Sequence, residues 1–304
     1  MQGNGTELST SIGRRSIWLF LLVSAALAWR WQPLVSIFSL LLNEGRYEHY
    51  SHAVLIPFLS SYLLYLRRQT IFAKGEWNPW LGIPLIGLGV VLSMGATIPI
   101  EERLDALSPQ VLSIVIIGWG SFIFCYGTKA FRAASFGLSL LVFMVPIPSF
   151  LLDVIIGFLR GGTAEGVDFL FQLFRVPVFR QDIVFTLSNI SIEIAKECSG
   201  IRSSIALFIC SLVAGHLFLR SPWTRLALIV VVVPLTIIKN SIRIVVLSLL
   251  GNYVDSRFLI DSALHHQGGI PLFFVSLVVL LSILWILRRS ERPSQSRSRL
   301  ALRT

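Results

Sequence analysis

Long apolar runs recur along this chain, and Lys and Arg gather at alternate ends of them. A run of about 20 apolar residues reads as a helix crossing a bilayer, so the pattern predicts an all-α, multi-pass membrane protein. Candidate spans are residues 16–42 (interrupted near Pro33), 51–66, 79–98, 109–126, 132–150, 201–219, 225–250 and 269–287, eight in all. With 54% hydrophobic and 14% charged residues over 304 positions, the chain is too apolar for a soluble domain of that length. A single membrane domain covering residues 1–304 is expected, with no internal repeat.

Charge sets the expected orientation. Arg14 and Arg15, then Arg67, Arg68 and Lys74, then Lys129 and Arg132, then Arg220 and Arg225, then Arg288, Arg289, Arg292, Arg297, Arg299 and Arg303 all fall on one face of the eight-span arrangement. That face is cytoplasmic by the positive-inside rule. Both termini are then cytoplasmic: residues 1–15 at the start, 16–287 the bundle, and 288–304 a basic tail suited to anionic lipid. The net charge of +10 is accounted for by these flanks, so nucleic acid is not an expected partner. The first apolar run follows Arg14 and Arg15 as in a signal peptide, but it lacks a small-residue cleavage site and is expected to be retained.

One outer segment, residues 151–200, is longer than a connecting turn. Its apolar residues fall at helical spacing through Phe174, broken at Gly161-Gly162, which predicts two amphipathic helices lying in the interface. After Pro177 the period changes to two, through Ile183, Phe185 and Leu187 and then Ile190, Ile192 and Ile194. A short β-hairpin with Ser188-Asn189 at its tip is expected just before the sixth span.

Chemistry-bearing residues collect at that outer depth. Cys198 precedes the sixth span, at a helix start whose amide dipoles favour a thiolate, and Arg202 lies one turn away. Arg243 lies about 27 Å along the seventh span from Arg225 at 1.5 Å per residue, near the outer edge of a core about 30 Å thick. Asn240 shares its face and Lys239 lies one turn away. His265 and His266 precede the eighth span, and His52 starts the second. A thiolate, a proton-shuttling histidine and a guanidinium able to hold an oxyanion are the parts acyl transfer needs. Cys125 and Cys210 fall inside spans and are expected to pack. With Cys198 they form neither a disulfide framework nor a zinc site, and no cofactor or metal is expected.

These residues resemble a known family. Cys198-Ser199-Gly200 with Arg202-Ser203, Asn240-Ser241-Ile242-Arg243-Ile244, and His265 with Gly269 and Phe273 in an HxxxGxxxF spacing are similar to the motifs of the exosortase/archaeosortase family. Tyr50-Ser51-His52 with Leu55-Ile56-Pro57, and Val145-Pro146-Ile147-Pro148, extend the likeness over most of the chain. The resemblance implies a multi-pass, transpeptidase-like cysteine protease of the inner membrane. Cys198 would be nucleophile, Arg243 the carbonyl or oxyanion stabiliser and His265 the acid/base, with Arg202, Asn240, His52, Lys239 and His266 in supporting or substrate-contact roles. Its implied partners are secreted proteins ending in a PEP-type motif, a transmembrane helix and a basic cluster. Two features depart from the pattern. Glu197 stands where a small residue often precedes the cysteine, opposing thiol ionisation, and the histidine is doubled. His265 alone keeps the spacing to Gly269 and Phe273.

Two other readings use the same residues. A transporter would account for charges within spans, although the polar positions cluster at one surface and not across the midplane. A lipid or acyl transferase would use the same surface cysteine. Patterns such as HExxH, GxGD and GxSG are absent from the sequence.

Overall fold

The computed structural model describes residues 3–29, 31–32, 35, 51–73, 75–95, 103–195, 200–255 and 269–291. It divides into two compact units, Met1–Leu152 and Asp153–Thr304.

In the first unit α1 (Gly3–Trp29), α2 (Ser51–Leu66), α3 (Arg68–Phe72), α4 (Pro79–Gly95) and α5 (Arg103–Leu140) precede a 3₁₀ turn over Leu141–Met144. The runs expected at 109–126 and 132–150 both fall in α5, which is broken at Gly127. That residue takes φ 77° and ψ 177°, a conformation open in practice only to glycine. A methyl there would also meet the Glu76 carbonyl oxygen at 2.6 Å. The second run stops at Met144, short of the expected 150, because Pro146 and Pro148 cannot supply helix N–H groups. Ser149 then starts a new helix, its amide donating to Asp105 Oδ1 at 2.7 Å and its hydroxyl to Oδ2.

Helices α4 and α5 pack backbone to backbone. A methyl on Gly82 would sit 2.6 Å from Phe124 Cα, and one on Gly120 2.8 Å from the Ile86 nitrogen. Between apolar helices in an apolar medium, such close van der Waals fit is a main source of association. At one end of this unit Arg15 Nη1 donates to the Gly75 carbonyl at 2.5 Å and Lys129 pairs with Glu76 at 2.9 Å. Arg15 and Lys129 therefore both reach the Gly75-Glu76 stretch at that end.

The second unit holds α6 (Ser149–Leu173) from Asp153 onward, a small sheet, α7 (Ile201–Phe218), α8 (Pro222–Tyr253) and α9 (Gly269–Ser290). The expectation of two helices broken at Gly161-Gly162 is corrected: α6 runs unbroken through both glycines. Gly162 faces α8, where a methyl would come 2.7 Å from Ile237 Cδ1, and Gly166 lies directly against the Ser241 side chain. These glycines thin the helix for contact. They do not end it.

The expected hairpin is present as β2 (Val184–Thr186) and β3 (Ser191–Glu193), with Phe185 opposite Ile192. A strand the sequence reading did not include, β1 (Phe179–Gln181), pairs antiparallel with β2 through a tight turn at Asp182, whose φ is 56°. The sheet packs through Phe185, Leu187 and Ile194 onto Ala164, Val167 and Phe171 of α6 and Val245 of α8. Its tip is tied to the end of α8, where the Asn189 amide donates to Asn252 Oδ1 at 3.0 Å and Asn189 Nδ2 to the Asn252 carbonyl at 3.2 Å.

At the other end of this unit, Leu207, Leu228 and Leu280 join α7, α8 and α9 in one core. Pro222 opens α8 at a position where its missing N–H is no loss. The Glu291 carboxylate accepts from the Arg220 and Ser221 amides, both at 2.8 Å, and from the Thr224 hydroxyl.

Among the described residues four helical segments are long and apolar enough to cross a membrane: Asp105–Met144, Ile201–Phe218, Pro222–Tyr253 and Gly269–Ser290. Arg15–Trp29, His52–Leu66 and Pro79–Met94 are apolar but shorter. Length therefore supports four crossings, against the eight expected from hydropathy.

Two stability predictions follow from this packing. Gly82→Ala forces the Phe124 backbone to move and is expected to destabilise by about 1–3 kcal/mol. Gly87→Ala on the same helix, with nothing within 4 Å of the added methyl, should be neutral or slightly stabilising. Thermal unfolding of the two purified variants in detergent compares them directly. Burial opposes ionisation of Glu291, but the Thr224 hydroxyl, the two amides and Arg225 outweigh it and hold the carboxyl below its ordinary value. A depressed carboxylate stabilises the fold above its unfolded pKa, and that contribution is lost as pH falls through the folded one. Glu291→Gln should thus lower the melting temperature at neutral pH by about 2 °C, with the gap to wild type closing in a series of melts taken down through the carboxylate range.

Candidate active site

Helix α8 carries Lys239, Asn240, Ser241 and Arg243 close together, and three other elements converge on that turn. The Ser241 hydroxyl donates to the Thr163 carbonyl of α6 at 3.2 Å and to its own Ile237 carbonyl at 2.9 Å. Asn240 Nδ2 lies 3.4 Å from Thr163 Oγ1. Because Gly162 and Gly166 let α6 approach, Thr163 between them reaches both residues.

Asn240 also packs against the start of α7. Gly200, the residue before that helix, takes the left-handed conformation at φ 71°, and a methyl on it would lie 3.2 Å from Asn240 Oδ1. Only a residue without a side chain fits the conformation easily and leaves Asn240 where it is. The Gly200 carbonyl accepts from the Ser204 amide at 3.0 Å, from Ser203 Oγ at 2.9 Å and from Ser204 Oγ at 2.7 Å.

Lys239 is buried, 6% exposed, and its ammonium donates to Ser203 Oγ. A chain of donors thus runs from Lys239 through Ser203 to the Gly200 carbonyl. A charged lysine within an apolar helix costs about 2.5–3.5 kcal/mol on insertion scales, and this hydroxyl gives the cation a partner there. Arg243, half-buried one turn beyond, reaches the first residue of α9: a methyl on Gly269 would sit 3.9 Å from its Nη1.

The expected site residues are distributed as follows. Arg243, Asn240 and Lys239 share one turn of α8 in contact with the starts of α7 and α9. Arg202 is exposed in the first turn of α7, and His52 is half-buried at the second position of α2 in the first unit. Cys198, His265 and His266 lie outside the described residues, two positions before Gly200 and four and three before Gly269. Cys125 is buried and Cys210 half-buried within spans, as packing residues should be. Among the described residues no three His, Cys, Asp or Glu side chains gather as a metal site would require.

Two residues were not singled out from sequence. Thr163 gave one signal, its position in the small-residue run Gly161-Gly162-Thr163-Ala164. Arg160 gave none. Its Nε donates to the Ile194 carbonyl at 2.6 Å and its Nη2 to Glu193 Oε1 at 3.2 Å, at the end of β3. The sheet is further held by Arg180, which donates to Glu165 and keeps that carboxyl below its ordinary value.

No curated protein and no solved structure matches the chain. The sequence model of the transmembrane exosortases matches residues 45–282, a stretch that takes in the Gly200, Asn240–Arg243 and Gly269 positions, and the chain therefore belongs to the transmembrane exosortase family.

Proposed function

We propose that this protein is a membrane-embedded cysteine transpeptidase or protease that cleaves the C-terminal PEP-type sorting signal of secreted proteins at the outer face of the cytoplasmic membrane. Family membership supports an enzyme of the peptidase or transpeptidase kind acting on proteins with sorting signals. The observation that carries the finer reading is the turn of α8 shared by Asn240 and Arg243. Asn240 packs on Gly200, two residues from Cys198, and Arg243 lies beside Gly269, four residues from His265. Three motifs distant in sequence have their anchoring residues around one helical turn.

In this reading the Cys198 thiolate attacks the scissile carbonyl carbon. Arg243 donates to the carbonyl oxygen as it gains negative charge. His265 protonates the departing amine, the C–N bond breaks, and a thioester on Cys198 remains. Water or an acceptor amine then attacks the thioester, His265 takes up its proton, and the thiolate leaves. In this reading eight spans, beyond the four that helix length supports among the described residues, leave both termini cytoplasmic and the active turn at the outer surface; the contacts of Arg15 and Lys129 with Gly75 and Glu76 support a shared basic end in the first unit. A substrate held by its own transmembrane helix would approach laterally.

Cys198→Ala should abolish cleavage of a co-expressed reporter ending in Pro-Glu-Pro, a transmembrane helix and a basic cluster, while leaving membrane insertion intact. An impermeant maleimide applied to spheroplasts should label Cys198 and spare Cys125 and Cys210. Processing by the Ala variant would sink the nucleophile assignment, and protection of Cys198 would sink the topology. His265→Ala is expected to lower turnover by about 10²–10⁴-fold, the usual worth of a positioned acid/base. His266→Ala should stay within a few-fold of wild type. The reverse ranking in the reporter assay would transfer the role to His266.

A further inference from the structure

We infer that Arg160 is a positioning residue of the active site, holding the chain that delivers Cys198. This rests on the proposed role of Cys198 as nucleophile. The stretch between Ile194 and Gly200 is five residues long and contains Cys198, and the structure fixes both of its ends.

The far end is held several times over. Gly200 is seated against Asn240, and its carbonyl accepts three donors from Ser203 and Ser204. The near end is held once on each side. The Ile194 amide donates to Ile183 across the sheet at 3.1 Å, and its carbonyl receives Arg160 Nε at 2.6 Å. Ile194 itself is 1% exposed, sunk into the core with Phe171 and Phe185.

The guanidinium does more than join a surface ion pair. Its side chain is 17% exposed, whereas its carboxylate partner Glu193 is 62% exposed. An ion pair with so exposed a partner adds little, so the contact with the Ile194 carbonyl is the significant one. A charged donor to a main-chain acceptor in a half-buried setting is among the stronger hydrogen bonds. It comes from α6, three residues before Thr163. One face of α6 therefore sets the approach to Cys198 through Arg160 and, through Thr163, the Asn240 that seats Gly200.

The sheet has other attachments: the Asn189–Asn252 pair, the Arg180–Glu165 pair and the apolar face. Removing the guanidinium should leave the fold and substrate binding in place and loosen only the approach to the nucleophile. A misplacement of about 1 Å costs about 10²-fold in rate.

The test uses the full-length protein in nanodiscs with the same Pro-Glu-Pro reporter, comparing wild type with Arg160→Gln, Arg160→Lys, Glu193→Gln and Cys198→Ala. Arg160→Gln should lower turnover at saturating reporter by about 10–100-fold, with half-saturation within about twofold and the melting temperature lowered by only a few degrees. Arg160→Lys, which can still donate to the Ile194 carbonyl, should recover most of the rate, and Glu193→Gln should match wild type. Wild-type turnover in Arg160→Gln overturns the inference. So does equal loss of turnover in the Lys and Gln variants accompanied by an equal, large fall in melting temperature, or a loss in Glu193→Gln as large as that in Arg160→Gln. Cleavage by Cys198→Ala would overturn the underlying reading instead, which keeps the two failures apart.

Discussion

Contact between α6 and α8 depends on two missing side chains. With any larger residue at Gly162 or Gly166, Ile237 and Ser241 would have to move away, and Thr163 would no longer reach Asn240 or accept from Ser241. Gly200 and the start of α7 lean on Asn240, while Arg160 on the same α6 holds the end of the sheet. Glycine within a helix costs up to about 1 kcal/mol each against alanine. Here that cost is offset by close packing and by hydrogen bonds formed where water is scarce.

Cations within α8 obey the same logic. Lys239 and Arg243 lie one turn apart, and each is set toward the start of a different helix. Lys239 meets a hydroxyl that is itself hydrogen-bonded to the Gly200 carbonyl, so its charge is spread along a donor chain. Arg243 lies beside the start of α9, where a methyl on Gly269 would sit in ordinary contact with its Nη1 at 3.9 Å. Replacing Arg243 with Lys would keep the charge and lose the flat fork of donors that suits a carbonyl oxygen.

The helical runs were legible in the sequence because hydropathy acts locally, but their proline-set ends were not: the run expected to reach 150 stops at Met144 before Pro146 and Pro148, and the one expected from 225 opens at Pro222. Glycine was harder to read. Gly127 does break its helix, because its φ is positive, whereas Gly161-Gly162 looked like a break and is a packing surface. The residue type is the same, and the difference lies in the neighbour: the Glu76 carbonyl for Gly127, and the Ile237 side chain, from a helix some 75 positions later in the chain, for Gly162. Arg160 was illegible for the same reason. Its partner is a main-chain carbonyl 34 residues on, and an arginine on an amphipathic helix ordinarily just faces water. The motif residues Asn240, Arg243 and Gly200 could be named from sequence, but not the contacts that tie them together.

The second unit keeps its two ends chemically distinct. At one end a carboxylate, Glu291, caps the start of α8 with the positive charge of Arg225 nearby, while Arg288 lies over the Phe218 ring. At the other, α8 presents cations and an amide to two helix starts, with no acidic side chain among the described residues of that turn. Helix starts carry partial positive charge, so the α7 start, Lys239 and Arg243 together make a field that favours an anion. A developing oxyanion or a thiolate is the kind of charge such a field stabilises. Glu197, next to the cysteine, opposes that field. Arg160 and Asn240 hold Ile194 and Gly200, described residues on either side of the stretch that carries both side chains.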